Sequence, residues 1–140
     1  MKIMCIDYGS KRIGIAATDP TATISYPLTT ITNKGLVNNV RAITQLTREN
    51  QIQKIVFGLP VHYNGQEGEA CRKVRELGAA LLKETELEVD YHDERYSSLE
   101  AEEHIKQNLG ITNHKKVTEL VDKVAASMIL NNYLEKMKRS

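Results

Sequence analysis

The sequence predicts an α/β domain: a five-stranded mixed sheet, three antiparallel strands followed by two parallel ones, flanked by helices. Three observations predict it. Residues 2–32 hold three strand-like runs whose connections are too short for an intervening helix. Lys54-Ile55-Val56-Phe57 is a short, largely apolar run of the kind that suits a strand covered on both faces. From residue 36 onward, helical periodicity alternates with strand-like runs, as in a sheet that becomes parallel.

The elements follow in order. Residues 2–7 and 12–18 read as two strands joined by Tyr8-Gly9-Ser10-Lys11, whose Gly and Ser suit a tight turn. Asp19 before Pro20 reads as a second turn. Residues 26–32 are rich in β-branched side chains and form the third strand. Across 36–48, Leu36, Val40, Ile43 and Leu46 or Thr47 recur at helical spacing. The run at 54–57 ends at Gly58-Leu59-Pro60, and 61–68 reads as a loop around Asn64-Gly65. Residues 70–83 put Val74, Leu77, Gly78 and Leu81 on one helical face. Leu87, Val89 and Tyr91 then alternate with Glu88, Asp90 and His92, which predicts a strand near the sheet edge with one solvated face. Ser97 and Glu100 form a capping box that opens a helix running to Asn108, with Gly110 just past its end. A last helix spans 117–137. Around Asp122 it is apolar nearly all round, through Val121, Val124, Ala125, Ala126, Met128 and Ile129, and so is predicted to be buried.

The 140 residues suit one domain, 1–140, able to bury roughly two-thirds of the surface its unfolded chain exposes. With 41% hydrophobic and 26% charged residues, the composition is that of a globular domain. No apolar run approaches the roughly 20 residues needed to cross a bilayer. Asp7 and the Lys11-Arg12 pair break any signal-peptide pattern, so the expected location is cytoplasmic. There, Cys5 and Cys71 are expected as buried free thiols. Four histidines lie scattered without metal-ligand spacing, which argues against structural zinc. A net charge of +1 supplies no general attraction to a polyanion. A nucleic-acid partner would need basic residues gathered on one face.

Three acids stand where a lone charge is awkward. Asp7 ends an apolar strand, Glu94 follows the last strand, and Asp122 lies in the buried helix. Open α/β sheets bind ligands at the carboxyl ends of their strands, where the first and last strands would bring Asp7 and Glu94. Asp122 shares its helix face with Ala125, Ala126, Ile129 and Tyr133, and the two alanines let that face approach the sheet closely. Three converging carboxylates stay ionised only around a cation. Oxygen ligands select Mg²⁺ or Mn²⁺, and two such ions about 4 Å apart support in-line attack on a phosphodiester. Plainer roles compete. Asp7 before Gly9 is also a turn former, Glu94 has Arg95 as a neighbouring partner, and Lys115, Lys116 or Lys123 is placed to pair with Asp122.

These residues resemble the YqgF/RuvX family, described as Holliday-junction-resolvase-like or as pre-16S rRNA nucleases. The resemblance spans nearly the whole chain. A D-x-G-x-K-R-I-G-x-A opening matches Asp7, Gly9, Lys11, Arg12, Ile13, Gly14 and Ala16. G-L-P and a loop Gly match Gly58-Leu59-Pro60 and Gly65. D-E-R-x-S/T-S/T matches residues 93–98, and K…D-x-x-A-A matches Lys116 and 122–126. Asn64 stands where the family often has Asp, and Ser98 where Thr is common; neither change removes a carboxylate.

The resemblance implies an RNase H-like fold, with Asp7, Glu94 and Asp122 as catalytic and metal-binding acids. It also implies a metal-dependent endonuclease acting on structured RNA, precursor 16S rRNA above all. Branched DNA, as for a Holliday junction resolvase, is the alternative substrate. Lys11, Arg12 and Arg95 sit beside the acids and are expected to hold phosphates. Two other readings remain: a non-catalytic nucleic-acid-binding module associated with the ribosome or transcription, and a phosphotransferase of the actin and sugar-kinase type. The latter close two domains around ATP, and 140 residues supply one. Monomer and homodimer are equally compatible with the sequence.

Overall fold

The computed structural model describes residues 1–61, 65–93 and 114–138. Five strands are present: β1 (Ile3–Tyr8), β2 (Arg12–Thr18), β3 (Ser25–Thr32), β4 (Lys54–Leu59) and β5 (Glu88–Asp93). Three helices are described: α1 (Leu36–Glu49), α2 (Glu69–Thr85) and α3 (His114–Lys138). The strands form one sheet in the order β3-β2-β1-β4-β5. β3, β2 and β1 are antiparallel, whereas β1, β4 and β5 are parallel. The mixed sheet read from the sequence is therefore the sheet observed. Boundaries differ by a few residues, most at α3, which opens at His114. The capping box at Ser97 and Glu100 and the helix predicted after it fall outside the described residues.

The period-2 pattern sorts β1 cleanly between two faces. Met4 and Ile6 join the core beneath α1 and α2, with Ile13, Ile55, Phe57, Val74, Leu77 and Leu81. Ile3 and Cys5 point the other way, to Ala126, Ile129, Leu130 and Tyr133 of α3. A strand with a core on each side is apolar on both faces through its buried middle, so Ile3–Ile6 of β1 and Ile55–Phe57 of β4 read as apolar runs. Both cysteines are free and buried, as expected. The Asp19 turn is also present. Its carboxylate accepts hydrogen bonds from the amides of Thr23 and Ile24 at 2.9 Å each and from the Thr21 hydroxyl. Ile24's amide above all, with the Thr21 hydroxyl and Thr23 amide, holds its carboxyl far below the usual range.

One expectation needs correction. The β5 face bearing Asp90 and His92 is not solvated, because Tyr133 of α3 covers it. The Tyr133 hydroxyl donates to Asp90 Oδ2 at 2.7 Å, and its ring meets His92 edge-on at 6.0 Å. On this face only Glu88 stays exposed. α3 is buried or half-buried from 122 to 130, as expected around Asp122, and turns one side to solvent beyond. Ala125, Ala126, Ile129, Leu130, Tyr133 and Leu134 face the sheet, while Asn131, Asn132 and Glu135 are exposed. A long helix laid across a sheet buries one side only.

Candidate active site

β1 carries Asp7 one residue from its end, and β2 returns beside it after a three-residue connection. Register pairs Asp7 with Gly14, so both lie on the α3 face, with Cα atoms about 4.5–5.5 Å apart. Gly14 is where α3 reaches the sheet. A Cβ there would lie 1.9 Å from the carbonyl oxygen of Asp122 and 2.4 Å from its carbonyl carbon. Only glycine admits that backbone. Gly9 has a similar role in the turn, where a Cβ would fall 2.3 Å from the Arg12 carbonyl oxygen. Asp7 and Asp122 are thus brought together by one bare position on the neighbouring strand.

The Asp122 carboxylate has a described partner. Arg12 donates from Nε to Asp122 Oδ2 at 2.6 Å, within a half-buried pair whose side chains are 36% and 22% exposed. Arg12 opens β2 on the same face as Gly14, and α3 delivers Asp122 directly to it. No local pattern could reveal a pair separated by 110 residues. Arg12 therefore orients one of the acids, a role the sequence reading missed. Lys11 lies exposed in the adjoining turn.

The parallel register brings the other strand ends to this edge. Ile6 pairs with Phe57, which puts Gly58 level with Asp7, and Gly58 pairs with His92. Two strand spacings, about 10 Å, separate Asp7 from His92 along the sheet. Burial, the first cause, and Lys136 push His92 below its ordinary value, against the raising effect of Asp93 and Asp90. β5 ends at Asp93, exposed at the same edge. Glu94 and Arg95 fall outside the described residues, as do His62 and Tyr63. Two of the three predicted acids, Asp7 and Asp122, are brought together with Arg12. Among the described residues no group of three or more His, Cys, Asp and Glu side chains could hold a metal ion. The described acids are oxygen donors of the type hard divalent cations prefer, so they fit such an ion as a partial ligand set.

Another network lies farther down the same face. Lys54 Nζ sits 5.2 Å from the Tyr133 ring centroid and 3.5 Å from Glu88 Oε2, close to the Tyr133–Asp90 hydrogen bond. It ties α3 to the edge strand. Near β3, Ser25 Oγ is 2.6 Å from Asn131 Oδ1 and 2.9 Å from Ser127 Oγ. These polar ties fix α3 at both margins of the sheet, and with it the position of Asp122.

A mixed β3-β2-β1-β4-β5 sheet with carboxylates at the end of its first strand and on its closing helix defines the class: an RNase H-like fold of the resolvase type. Among solved structures, it is similar to RuvC of Thermus thermophilus, seen in complex with a Holliday junction substrate. The TM-score is 0.60 at 13% identity, over 98% of this chain and 96% of that one. Residues 1–136 match the family described as RuvX, Holliday junction resolvase, and the chain belongs to the RuvX/YqgF family. A relative from Caldanaerobacter subterraneus subsp. tengcongensis, named "Putative pre-16S rRNA nuclease", is 34% identical over 140 residues and all of both chains. One of the same name from Syntrophomonas wolfei is 38% identical over 135 residues, covering 96% of this chain and 94% of its own.

Proposed function

We propose that this chain is a metal-dependent endonuclease that hydrolyses phosphodiester bonds in structured nucleic acid, with 5′-end processing of precursor 16S rRNA as its task. The observation that carries the proposal is the meeting of Asp7 and Asp122 across Gly14 at the sheet's carboxyl edge. The names of the full-length relatives support the substrate. In this reading residues 1–140 act as one domain in the cytoplasm, and Asp7, Glu94 and Asp122 hold Mg²⁺ or Mn²⁺. Such an ion, when bound, would activate a water and stabilise charge at the leaving 3′ oxygen. Asp7 and Asp122 present oxygens from a rigid strand end and a rigid helix. Arg12 keeps Asp122 turned to the sheet, and its five N–H donors let it serve that carboxylate and a phosphate together. Lys11 and Arg95 contact further phosphates. No helix among the described residues is long and apolar enough to cross a membrane.

The fold shared with a resolvase seen on its junction supports a second reading, cleavage of branched DNA. One gel assay separates the two. A precursor 16S rRNA leader and a four-way DNA junction are each incubated with Mg²⁺, Mn²⁺ or EDTA, beside Asp122→Asn. Metal-dependent cuts in the RNA alone, absent from the variant, support the proposal. Cuts in the junction alone transfer the activity to DNA. A folded protein that binds either substrate but cuts neither is a binding module.

A further inference from the structure

α1 and α2 cover one face of the sheet and leave a groove of about 770 Å³ along their outer surface. Its apolar lining comes from Leu36, Val37 and Val40 of α1 and Ala80 of α2. Val37 is 70% exposed and Leu36 39%, although both are large apolar side chains at the start of a helix. The lining runs from residue 36 to residue 48 of α1, about 18 Å at helical rise, the length of a little over three turns. The rim is basic. Arg41, Arg48 and Lys83 are exposed along it, against Glu84 alone. Among the described residues none of those three cations forms an ion pair, whereas Arg72 and Arg75 farther along α2 are both paired with glutamates. The groove also holds Thr44, 4% exposed, whose Oγ1 has no hydrogen-bond partner among the described residues.

We propose that this α1–α2 groove docks an acidic amphipathic helix of a partner protein. Apolar side chains three and four residues apart would fill the floor, and flanking Asp or Glu residues would meet Arg41, Arg48 and Lys83. The charge selects this occupant. Two copies of the chain joined through the same patch in a twofold dimer would set these cations against each other. A nucleic acid would find the basic rim, but the floor offers no aromatic side chain on which a base could stack. The groove lies on the opposite face of the sheet from Asp7 and Asp122, so a docked helix leaves the candidate active site open.

The test uses the full chain and fluorescein-labelled helical peptides carrying Leu at spacings of three and four with Glu on both flanks. The same peptides with Lys for Glu are the control. Fluorescence anisotropy is expected to show binding of the Glu peptides, at least about 10-fold weaker for the Lys peptides and weakened by salt. Val37→Asp and the double change Arg41→Glu, Arg48→Glu should each weaken binding about 10-fold or more. Both alter exposed side chains, and circular dichroism checks that each variant is folded. Amide chemical-shift changes should be confined to α1 and α2. Equal binding of Glu and Lys peptides, no binding of either, or displacement of the Glu peptide by single-stranded RNA would overturn the proposal. So would a self-association in light scattering that Val37→Asp abolishes.

Discussion

A single hydrogen atom decides the geometry of the candidate site. At Gly14 it replaces the Cβ that would collide with the Asp122 backbone, and the atom it would strike is main chain, not the yielding end of a side chain. Gly14→Ala is therefore expected to force α3 off the sheet, costing about 1–3 kcal/mol as overpacking does. The denaturant midpoint measures the loss, and cleavage should fall with it as Asp122 moves. Asp122→Asn and Asp7→Asn test the chemistry separately. Each keeps the side-chain shape and removes a charge, so each should lose cleavage by about 100-fold or more while circular dichroism stays unchanged. Arg12→Ala removes an orienting partner at 2.6 Å from Asp122. We expect it to lower activity about 10–100-fold, the usual cost of losing a group that fixes a ligand. Retained activity in that variant would remove Arg12 from both roles.

Among the elements, α3 has the most to hold in place. It lies across β2, β3 and β1, and its buried Ala125 and Ala126 allow the close approach its sequence predicts. Tyr133 anchors its far end to the edge strand. Burial pushes the Asp90 carboxyl up, but the Tyr133 hydroxyl, the Tyr91 amide and Lys54 together hold it below its ordinary value. A depressed carboxyl adds stability that is present above its unfolded value, near 3.9, and is lost as pH falls through the folded value. Tyr133→Phe should thus cost about 1 kcal/mol at neutral pH, given the partial exposure of the pair. The gap between variant and parent should narrow as Asp90 takes its proton. Denaturant melts at pH 7 and pH 3 measure this, and a gap that widens in acid would contradict it.

At the scale of the molecule, a cation held by the proposed ligands Asp7, Glu94 and Asp122 would bind the folded chain alone. Mg²⁺ or Mn²⁺ should therefore raise the thermal midpoint, by an amount reaching about 2.7 kcal/mol of stability at a hundred times the dissociation constant. EDTA should reverse the rise, and Asp122→Asn should abolish it. An equal rise in that variant would move the cation elsewhere. Much of this architecture was legible in advance. β2 spans 12–18 as read, β5 is an edge strand as read, and the apolar stretches Ile3–Ile6 and Ile55–Phe57 mark strands with a core on each side. The Asp90 face of β5 was misread because alternating polar residues normally mean water, and here a tyrosine hydroxyl takes water's place.

The sequence alone determined the types of the described elements, the mixed sheet and the family, because these follow from periodicity, turn chemistry and motifs a few residues long. It also singled out Asp7 and Asp122, since a charge in an apolar strand or a buried helix is costly without a purpose. Only the tertiary structure decided what those acids touch. Arg12 meets Asp122 across 110 positions of chain, and Tyr133 meets Asp90 across 43, through contacts that no local pattern encodes. Their cause is the packing of one helix on one sheet. That packing is set by the summed burial of Ala126, Ile129, Leu130 and Tyr133, and by the space left open at Gly14.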